Sequence, residues 1–242
     1  MIVYALLHKI QRMDNVGHIT LYHGSDHIIK KPLLSVGKSN NDYGQGLYCT
    51  ESLELAKEWA CKQNNDGFVN VYDFDLSNLK ILDLNSSDKS ILNWIAVLLK
   101  NRTFNLDNDY AKMARDYLLD NFYIDTSAYD VIKGYRADDS YFNYAESFIS
   151  NGLPVKSLSS ALRLGRLGEQ IALVSEKAFE NLEFVDAIPV DKSIYYPKFD
   201  SRDKTAREKY RNELSHKLLE PDDIFVMDII RQGMKNDDPR LR

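Results

Sequence analysis

The sequence predicts an α+β protein with a C-terminal helical extension. Short apolar segments with a period of two residues, typical of strands, are mixed with amphipathic helical segments, and the two kinds do not alternate regularly as they do around a parallel sheet. The length of 242 residues suits one domain plus an extension. With 44% hydrophobic and 28% charged residues, the composition is that of a soluble globular protein.

Strands are expected where apolar residues alternate and turn residues follow. "HITLYHGS" ends at His23 and Gly24, and a polar loop over 26–46 leads into "GLYCT". "FVNVYDFDL" has the clearest alternation in the chain. The predicted strands are 18–25, 46–50, 68–76, 79–84 and 169–175, and 129–139 is predicted to be a buried strand that runs into a charged loop. A helical turn with a short strand follows at 175–185. Residues 1–12 fit a short strand or a short helix equally well.

Helices are expected where apolar residues recur every three to four positions. In 50–63, Thr50 is a good cap, and Leu53, Ala56 and Trp59 share one face. The predicted helices are 50–63, 91–99, 110–122, 140–152, 158–168, 202–219 and 222–232. The chain is therefore divided into a domain over 1–185 and a helical extension over 186–242, whose apolar residues in 222–232 are expected to pack on the core or on a partner.

Charge and cysteine content exclude several classes of protein. The net charge of −5 argues against a broad basic face for nucleic acid. Cys49 and Cys61 are too few for a disulfide framework, which favours a reducing compartment. The apolar N-terminus lacks a basic region and a cleavage site, and no run has transmembrane length. We expect a cytoplasmic protein with no membrane partner.

Metal and dinucleotide motifs are absent from the sequence. His18, His23 and His27 surround a strand end rather than a helix face, and there is no HExxH, so no metal is expected. "YGQGLY" opens a strand, whereas the Rossmann fingerprint opens a helix and carries a third glycine.

What remains is an ordered set of polar and aromatic residues at strand ends. These are "LYHGS", "DYGQGLYCT" and "EQIALVSEKAFENLEF". Together they resemble the ADP-ribosyltransferase superfamily, in the clade with a His, a Tyr and a Glu or Gln on successive strands. A closer resemblance is to a bacterial ADP-ribosyltransferase-like family of unknown function with "DFGxGFY", "AKxWA", "YDIVIGxxAD" and "QIxFxTEKALxxLxF". Here the counterparts are "DYGQGLY", "AKEWA", "YDVIKGYRADD" and "QIALVSEKAFENLEF", so the resemblance covers about residues 20–185.

The resemblance implies a split β-sheet core that binds NAD+ in a cleft between two sheets. It implies that His23 contacts the adenosine ribose, that Gly24 approaches the nicotinamide carboxamide, and that Tyr48 stacks on the nicotinamide ring. Ser25, Tyr43 and Gly46 are further expected cofactor-binding residues. The implied activity is mono-ADP-ribosyl transfer by the toxin of a toxin–antitoxin or phage-defence system, often encoded beside a small helical antitoxin. The acceptor, a protein or a nucleic acid, is not indicated.

The third motif contains two candidate catalytic residues. Glu169 and Gln170 are neighbours on a strand, so only one side chain can enter the cleft. Alignment on "QI" favours Gln170, and a shift of one residue favours Glu169. A glutamine carries no charge and is no base, which leaves room for an inactive protein. The alternatives are a non-catalytic nucleotide- or partner-binding module and an NAD+ glycohydrolase.

Overall fold

The computed structural model describes residues 17–137, 139–164, 168–216 and 220–241, so the N-terminal segment 1–12 lies outside it. Strands and helices are mixed, which fits the predicted α+β class. The strands are β1 (His18–Ser25), β2 (Leu47–Cys49), β3 (Gly67–Asp75), β4 (Ile81–Asp83), β5 (Val131–Tyr135), β6 (Glu169–Leu173) and β7 (Leu182–Val190). The helices are α1 (Leu53–Ala60), α2 (Ile91–Asn101), α3 (Asp109–Phe122), α4 (Asp139–Ile149), α5 (Val155–Leu164), α6 (Glu176–Glu180), α7 (Lys192–His216) and α8 (Val226–Arg231).

The strands form two sheets that meet at one point. The first sheet has the order β1-β3-β7 and is antiparallel, and the second has the order β2-β6-β5-β4. In the second sheet β4 runs parallel to β5, while β6 is antiparallel to both β5 and β2. Tyr22 in β1 and Thr50 after β2 exchange backbone hydrogen bonds of 2.9 and 3.0 Å. This bridge makes β1, β2 and β6 neighbours at the junction of the sheets.

The apolar side chains are divided among three layers. Leu21, Tyr72 and Phe74 of the first sheet pack against Cys49 and Ile171 of the second. On its other face, the first sheet contacts α1 and the start of α7 through Val69, Val71, Ala56, Ala60 and Tyr195. The largest layer lies between the second sheet and the helices α2, α3, α4, α5 and α8, and it contains Trp94 and Phe148. The junction therefore lies between two packed layers.

Most predicted elements are present with shifted ends. The predicted strand 68–76 is Gly67–Asp75, and 79–84 is shortened to Ile81–Asp83. The largest difference is α7, which begins at Lys192 although Pro197 lies within it and the sequence places a helix only from 202 onward. Asp191 starts this helix, since its side chain accepts a hydrogen bond of 2.7 Å from the Ser193 amide.

The C-terminal segment is integrated with the rest of the chain. The predicted boundary after residue 185 falls inside β7, which pairs with β3 as far as Val190. Helix α8 buries Val226, Met227 and Ile229 in the same layer as Trp94. The apolar residues of 222–232 were expected to pack on the core or on a partner protein, and in the structure they pack on the core. Among the described helices, none combines the length and apolar character needed to cross a membrane.

Candidate functional site

The predicted site residues converge on the junction of the two sheets. His23 lies two residues before the end of β1, Tyr48 lies in β2, and Glu169 and Gln170 open β6. Tyr48 pairs with Ala172 of β6. Because β1 is bridged to β2, the His, Tyr and Glu-Gln positions occupy three neighbouring strands. The fold thus brings together residues that are far apart in the sequence.

The His23 imidazole links the first strand to the second. Its Nδ1 lies 2.8 Å from the carbonyl oxygen of Tyr48, so Nδ1 carries the proton and donates it. Burial lowers the pKa of His23, the bond to Tyr48 opposes this effect, and the neighbouring His27 adds to it. The ring is therefore neutral near pH 7, and Nε2 is an acceptor for a ligand hydroxyl.

The Tyr48 side chain holds the loop that precedes its own strand. Its hydroxyl donates to the carbonyl of Gly44 at 2.7 Å and accepts from the amide of Tyr43 at 3.0 Å. Burial raises the pKa of Tyr48 well above its ordinary value, so the phenol remains a donor. The Tyr43 and Tyr48 rings are nearly parallel, at 15°, with centroids 6.3 Å apart.

Tyr43 lies in the interior rather than at the junction. It is 3% exposed, and its hydroxyl donates to the carbonyl of Tyr135 at 2.6 Å and accepts from Trp94 Nε1 at 3.1 Å. These contacts fasten the loop to β5 and α2. Tyr43 thus has a structural role, and its expected contact with a cofactor stays a prediction.

Gly24 and Gly46 are required by close backbone contacts within the protein. A Cβ on Gly24 would lie 2.3 Å from the carbonyl oxygen of Ala56 in α1. A Cβ on Gly46 would lie 2.4 Å from the carbonyl oxygen of Leu173 in β6. The backbone of α1 therefore already excludes a side chain at Gly24. The expected approach of Gly24 to a nicotinamide group stays a prediction. Ser25 anchors the loop after β1, where its hydroxyl accepts from Asn70 at 3.0 Å and donates to the His27 carbonyl.

Gln170 is enclosed in a buried polar network. It is 3% exposed, and its amide nitrogen donates to Asp42 Oδ2 at 2.8 Å and to the Tyr135 carbonyl at 3.2 Å. Asp42, itself 5% exposed, also accepts from Arg102 at 3.0 Å and from the Ala137 amide at 2.9 Å. These partners occupy Gln170 on the helix side of the sheet. Gln170 lies on the same face of the sheet as Tyr48, which pairs with Ala172, and its expected catalytic role stays a prediction.

Glu169 lies on the opposite face and is exposed. Its Oε2 is 2.9 Å from Lys133 Nζ, and its Oε1 accepts from Asn85 at 2.8 Å. Burial by itself raises the pKa of Glu169, but the hydrogen bonds from Lys133 and Asn85 and the charge of Lys133 outweigh it, and the pKa lies below its usual value. Glu169 is thus an ionised carboxylate near pH 7.

A cavity of about 300 Å³ opens beside this carboxylate. One side of the cavity is formed by the segment that joins β2 to α1 and by the first turn of α1. The other side is formed by the start of β6. Its lining residues are Thr50, Glu51, Ser52, Leu55, Gly168, Glu169 and Ile171. Of the two candidates in the third motif, only Glu169 lines it. The cavity combines two carboxylates, two hydroxyl side chains and an apolar wall.

Sequence reasoning missed Asp42, Lys133 and Asn85. Asp42 opens the "DYGQGLY" stretch but contacts a residue 128 positions away. Lys133 is a diagonal cross-strand neighbour of Glu169, because Lys133 pairs with Ile171 and Tyr135 with Glu169. A charged residue inside the buried strand "YDVIKGY" is the signal that could have indicated Lys133. Among the described residues, no group of three or more His, Cys, Asp or Glu is placed to hold a metal ion.

Comparison with known proteins gives a family for this chain. No curated protein and no solved structure matches it. A family model described as a protein of unknown function (DUF3990) matches residues 19–184, which include both sheets up to the middle of β7. Because this match covers more than half of the 242 residues, the chain belongs to the DUF3990 family.

Proposed function

We propose that this protein is an NAD+-dependent mono-ADP-ribosyltransferase with Glu169 as its catalytic carboxylate. The observation that carries the proposal is the position of Glu169, an ionised carboxylate that lines a cavity beside the junction of the two sheets. His23 and Tyr48 belong to the strands that meet at this junction, although they are not among the residues that line the cavity. The order His, Tyr, Glu on neighbouring strands is the order that the sequence resemblance implies. The split sheet of an ADP-ribosyltransferase-like fold is part of the same proposal.

The proposed reaction needs a negative charge beside the ribose. The bond between the nicotinamide nitrogen and the ribose C1′ breaks, nicotinamide leaves with the electron pair, and the ribose becomes an oxocarbenium-like cation. The Glu169 carboxylate stabilises that cation and accepts a hydrogen bond from the ribose 2′-hydroxyl. A lone pair of the acceptor then attacks C1′, and the acceptor loses its proton to Glu169 or to water.

His23 and Tyr48 serve binding in this proposal. The neutral His23 ring offers Nε2 to a ribose hydroxyl, while its Nδ1 bond to the Tyr48 carbonyl fixes its orientation. The Tyr48 carbonyl orients His23, whereas the Tyr48 ring lies on the helix side of the second sheet, where its hydroxyl donates to the Gly44 carbonyl. Tyr43 and Gln170 stabilise this arrangement from the interior.

Isotope-labelled NAD+ tests the activity. Wild-type protein incubated with labelled NAD+ and a bacterial lysate is expected to label a macromolecule, and protease and nuclease digestion then identify the acceptor class. Release of free ADP-ribose without any labelled macromolecule would indicate an NAD+ glycohydrolase. No consumption of NAD+ would leave a non-catalytic nucleotide- or partner-binding module.

Glu169→Gln is the diagnostic variant. It keeps the size and hydrogen-bonding capacity of the side chain but removes the charge, so NAD+ consumption should fall by roughly 100-fold or more. Glu183→Gln, which changes an exposed side chain of β7 in the first sheet, is the matched control and should keep full activity. Full activity of Glu169→Gln would reject the assignment.

The biological role in the proposal is that of a toxin in a toxin–antitoxin or phage-defence system. It is supported by the sequence resemblance. Induced expression of the wild type in a bacterial host should arrest growth, and Glu169→Gln should not. Growth that is unaffected by a catalytically active wild type would separate the enzyme proposal from the toxin proposal.

A further inference from the structure

Glu169 receives a separate donor on each of its two carboxylate oxygens. Lys133 Nζ lies 2.9 Å from Oε2, and Asn85 Nδ2 lies 2.8 Å from Oε1. The Glu169 side chain is 45% exposed and the Lys133 side chain 29% exposed. A side chain with this much access to solvent is normally free to change rotamer, and two donors in different segments restrict it.

The two donors are themselves fixed by the second sheet. Lys133 lies in β5, which is paired with β6 on one side and β4 on the other. The turn after β4 carries Asn85, whose backbone amide donates a hydrogen bond to Asp83 Oδ1 at 2.9 Å. In the same turn the Leu84 amide donates to the Lys133 carbonyl at 2.8 Å. The lysine and the asparagine are thus held by adjoining backbone.

The surrounding charges explain why a cation is needed here. Glu51 also lines the cavity, and its Oε2 lies 3.8 Å from Lys133 Nζ. Asp83 at the end of β4 is a further negative charge that acts on Lys133. Lys133 therefore stands between Glu51 and Glu169, which would otherwise repel each other across the cavity mouth.

We propose that Lys133, assisted by Asn85, is a positioning residue that holds the Glu169 carboxylate at the wall of the cavity. This inference rests on the proposed function, since it assigns the group that prepares the catalytic carboxylate. In this arrangement Lys133 does not touch the substrate. It offsets the charge of Glu51, which would otherwise repel the Glu169 carboxylate, and so keeps that carboxylate in place for the ribose cation.

The test combines a direct titration with a pH–rate profile. The midpoint of the Glu169 carboxyl group is measured by carbon-13 NMR, with Glu169→Gln to assign the signal. Lys133→Met keeps the aliphatic stem and removes the charge, so the midpoint should rise. The acidic limb of the pH–rate profile for NAD+ consumption should move to higher pH by the same amount. Activity near pH 7 should fall by about 10- to 100-fold, because the carboxylate is no longer held in position.

Two further variants keep the test specific. Lys133→Arg retains the cation and should restore both the midpoint and the acidic limb. Lys80→Met removes an exposed lysine just before β4 and should change neither. An unchanged Glu169 titration midpoint in Lys133→Met would overturn the inference. A shifted Glu169 midpoint without a shift of the acidic limb of the pH–rate profile would overturn it as well.

The outcome also distinguishes the two proposals. If the wild type consumes no NAD+ at any pH, the proposed function fails. A raised midpoint in Lys133→Met would then still support the assignment of Lys133 as the group that sets the charge of Glu169. If the wild type is active and Lys133→Met keeps the full rate and pH profile, the positioning role fails and the enzyme proposal stands.

Discussion

At the scale of single residues, β6 presents two consecutive side chains to very different surroundings. Glu169 faces the cavity and solvent, whereas Gln170 is 3% exposed and bonded to Asp42. That the two point to opposite faces follows from strand alternation and was predictable. The sequence could not predict which of the two side chains is buried. That depends on Asp42 and Arg102, whose positions relative to β6 are set by the whole fold.

Substitution of each residue by alanine should separate structure from activity. Gln170→Ala leaves the buried Asp42 carboxylate with one donor fewer, so the free energy of unfolding should fall by about 1–3 kcal/mol while folded protein keeps its NAD+ turnover. Glu169→Ala should alter stability by less than about 1 kcal/mol and abolish turnover. Urea unfolding and NAD+ consumption are the measurements, and a well-folded but inactive Gln170→Ala would return the catalytic role to the glutamine.

The buried neutral ring of His23 should make stability depend on pH. Its pKa in the folded protein is lowered below the ordinary value of 6.5. The unfolded chain therefore binds a proton more readily, so the His23 contribution is complete above 6.5 and is lost as the pH falls below it. Between pH 7.5 and 5.5, the free energy of unfolding should drop more in the wild type than in His23→Gln. Identical pH dependence in the two proteins would contradict the neutral, buried ring.

At the scale of elements, α1 connects the site to the rest of the molecule. Its first turn lines the cavity with Leu55, and its backbone approaches Gly24 of β1. On its far side, Glu58 forms an ion pair with Arg202 of α7. Helix α1 is therefore packed between the first sheet and α7, and any change of its distance from β1 also changes the cavity.

Gly24→Ala tests this coupling. The new methyl group would lie 2.3 Å from the Ala56 carbonyl oxygen and 2.6 Å from the Ala60 amide nitrogen, so α1 must move outward. Overpacking of this kind typically costs about 1–3 kcal/mol, and NAD+ affinity should fall together with stability. In the control Gly152→Ala, the nearest atom is 3.3 Å away and the effect should be smaller. Equal unfolding midpoints for the two variants would show that the approach of α1 to β1 is not limiting.

The predicted elements were most accurate where local periodicity is strongest. The alternation in β3 is unambiguous, and its bounds are close to those predicted. The parallel pairing of β4 with β5 was not predictable, because strands of three and five residues give no sign of direction. The start of α7 was missed because Pro197 argues against a helix interior: as the sixth residue of the helix, it lacks the amide hydrogen that would bond to the carbonyl of Ser193.

At the scale of the whole molecule, residues beyond the family match complete the core. The match ends at residue 184, yet β7 continues to Val190 and α8 fills the layer around Trp94. The Ser90 hydroxyl at the start of α2 donates to the carbonyl of Leu241 at 2.8 Å. The C-terminal segment is thus part of the folded unit.

A pair of isoleucine substitutions measures how much the C-terminal segment contributes to the free energy of unfolding. Ile229 in α8 is 0% exposed, so Ile229→Ala should lower the free energy of unfolding by about 2–5 kcal/mol. Ile194 in α7 is 52% exposed, and Ile194→Ala should change it by less than about 0.5 kcal/mol. Chemical denaturation of both variants is the measurement. Similar small effects would mean that α8 is not an integral part of the core.

The positions of the two tryptophans have a practical consequence for spectroscopy. Trp94 is 0% exposed and donates its indole hydrogen to Tyr43 and to the Tyr135 carbonyl, so its emission should be blue-shifted and shielded from aqueous quenchers. Trp59 is partly exposed on α1, with the Arg136 guanidinium 4.5 Å from its ring centre. Its emission should be red-shifted and quenched by acrylamide. Because Trp59 shares a helix with the cavity wall, the protein carries an intrinsic fluorophore with which ligand titrations can be followed without a dye.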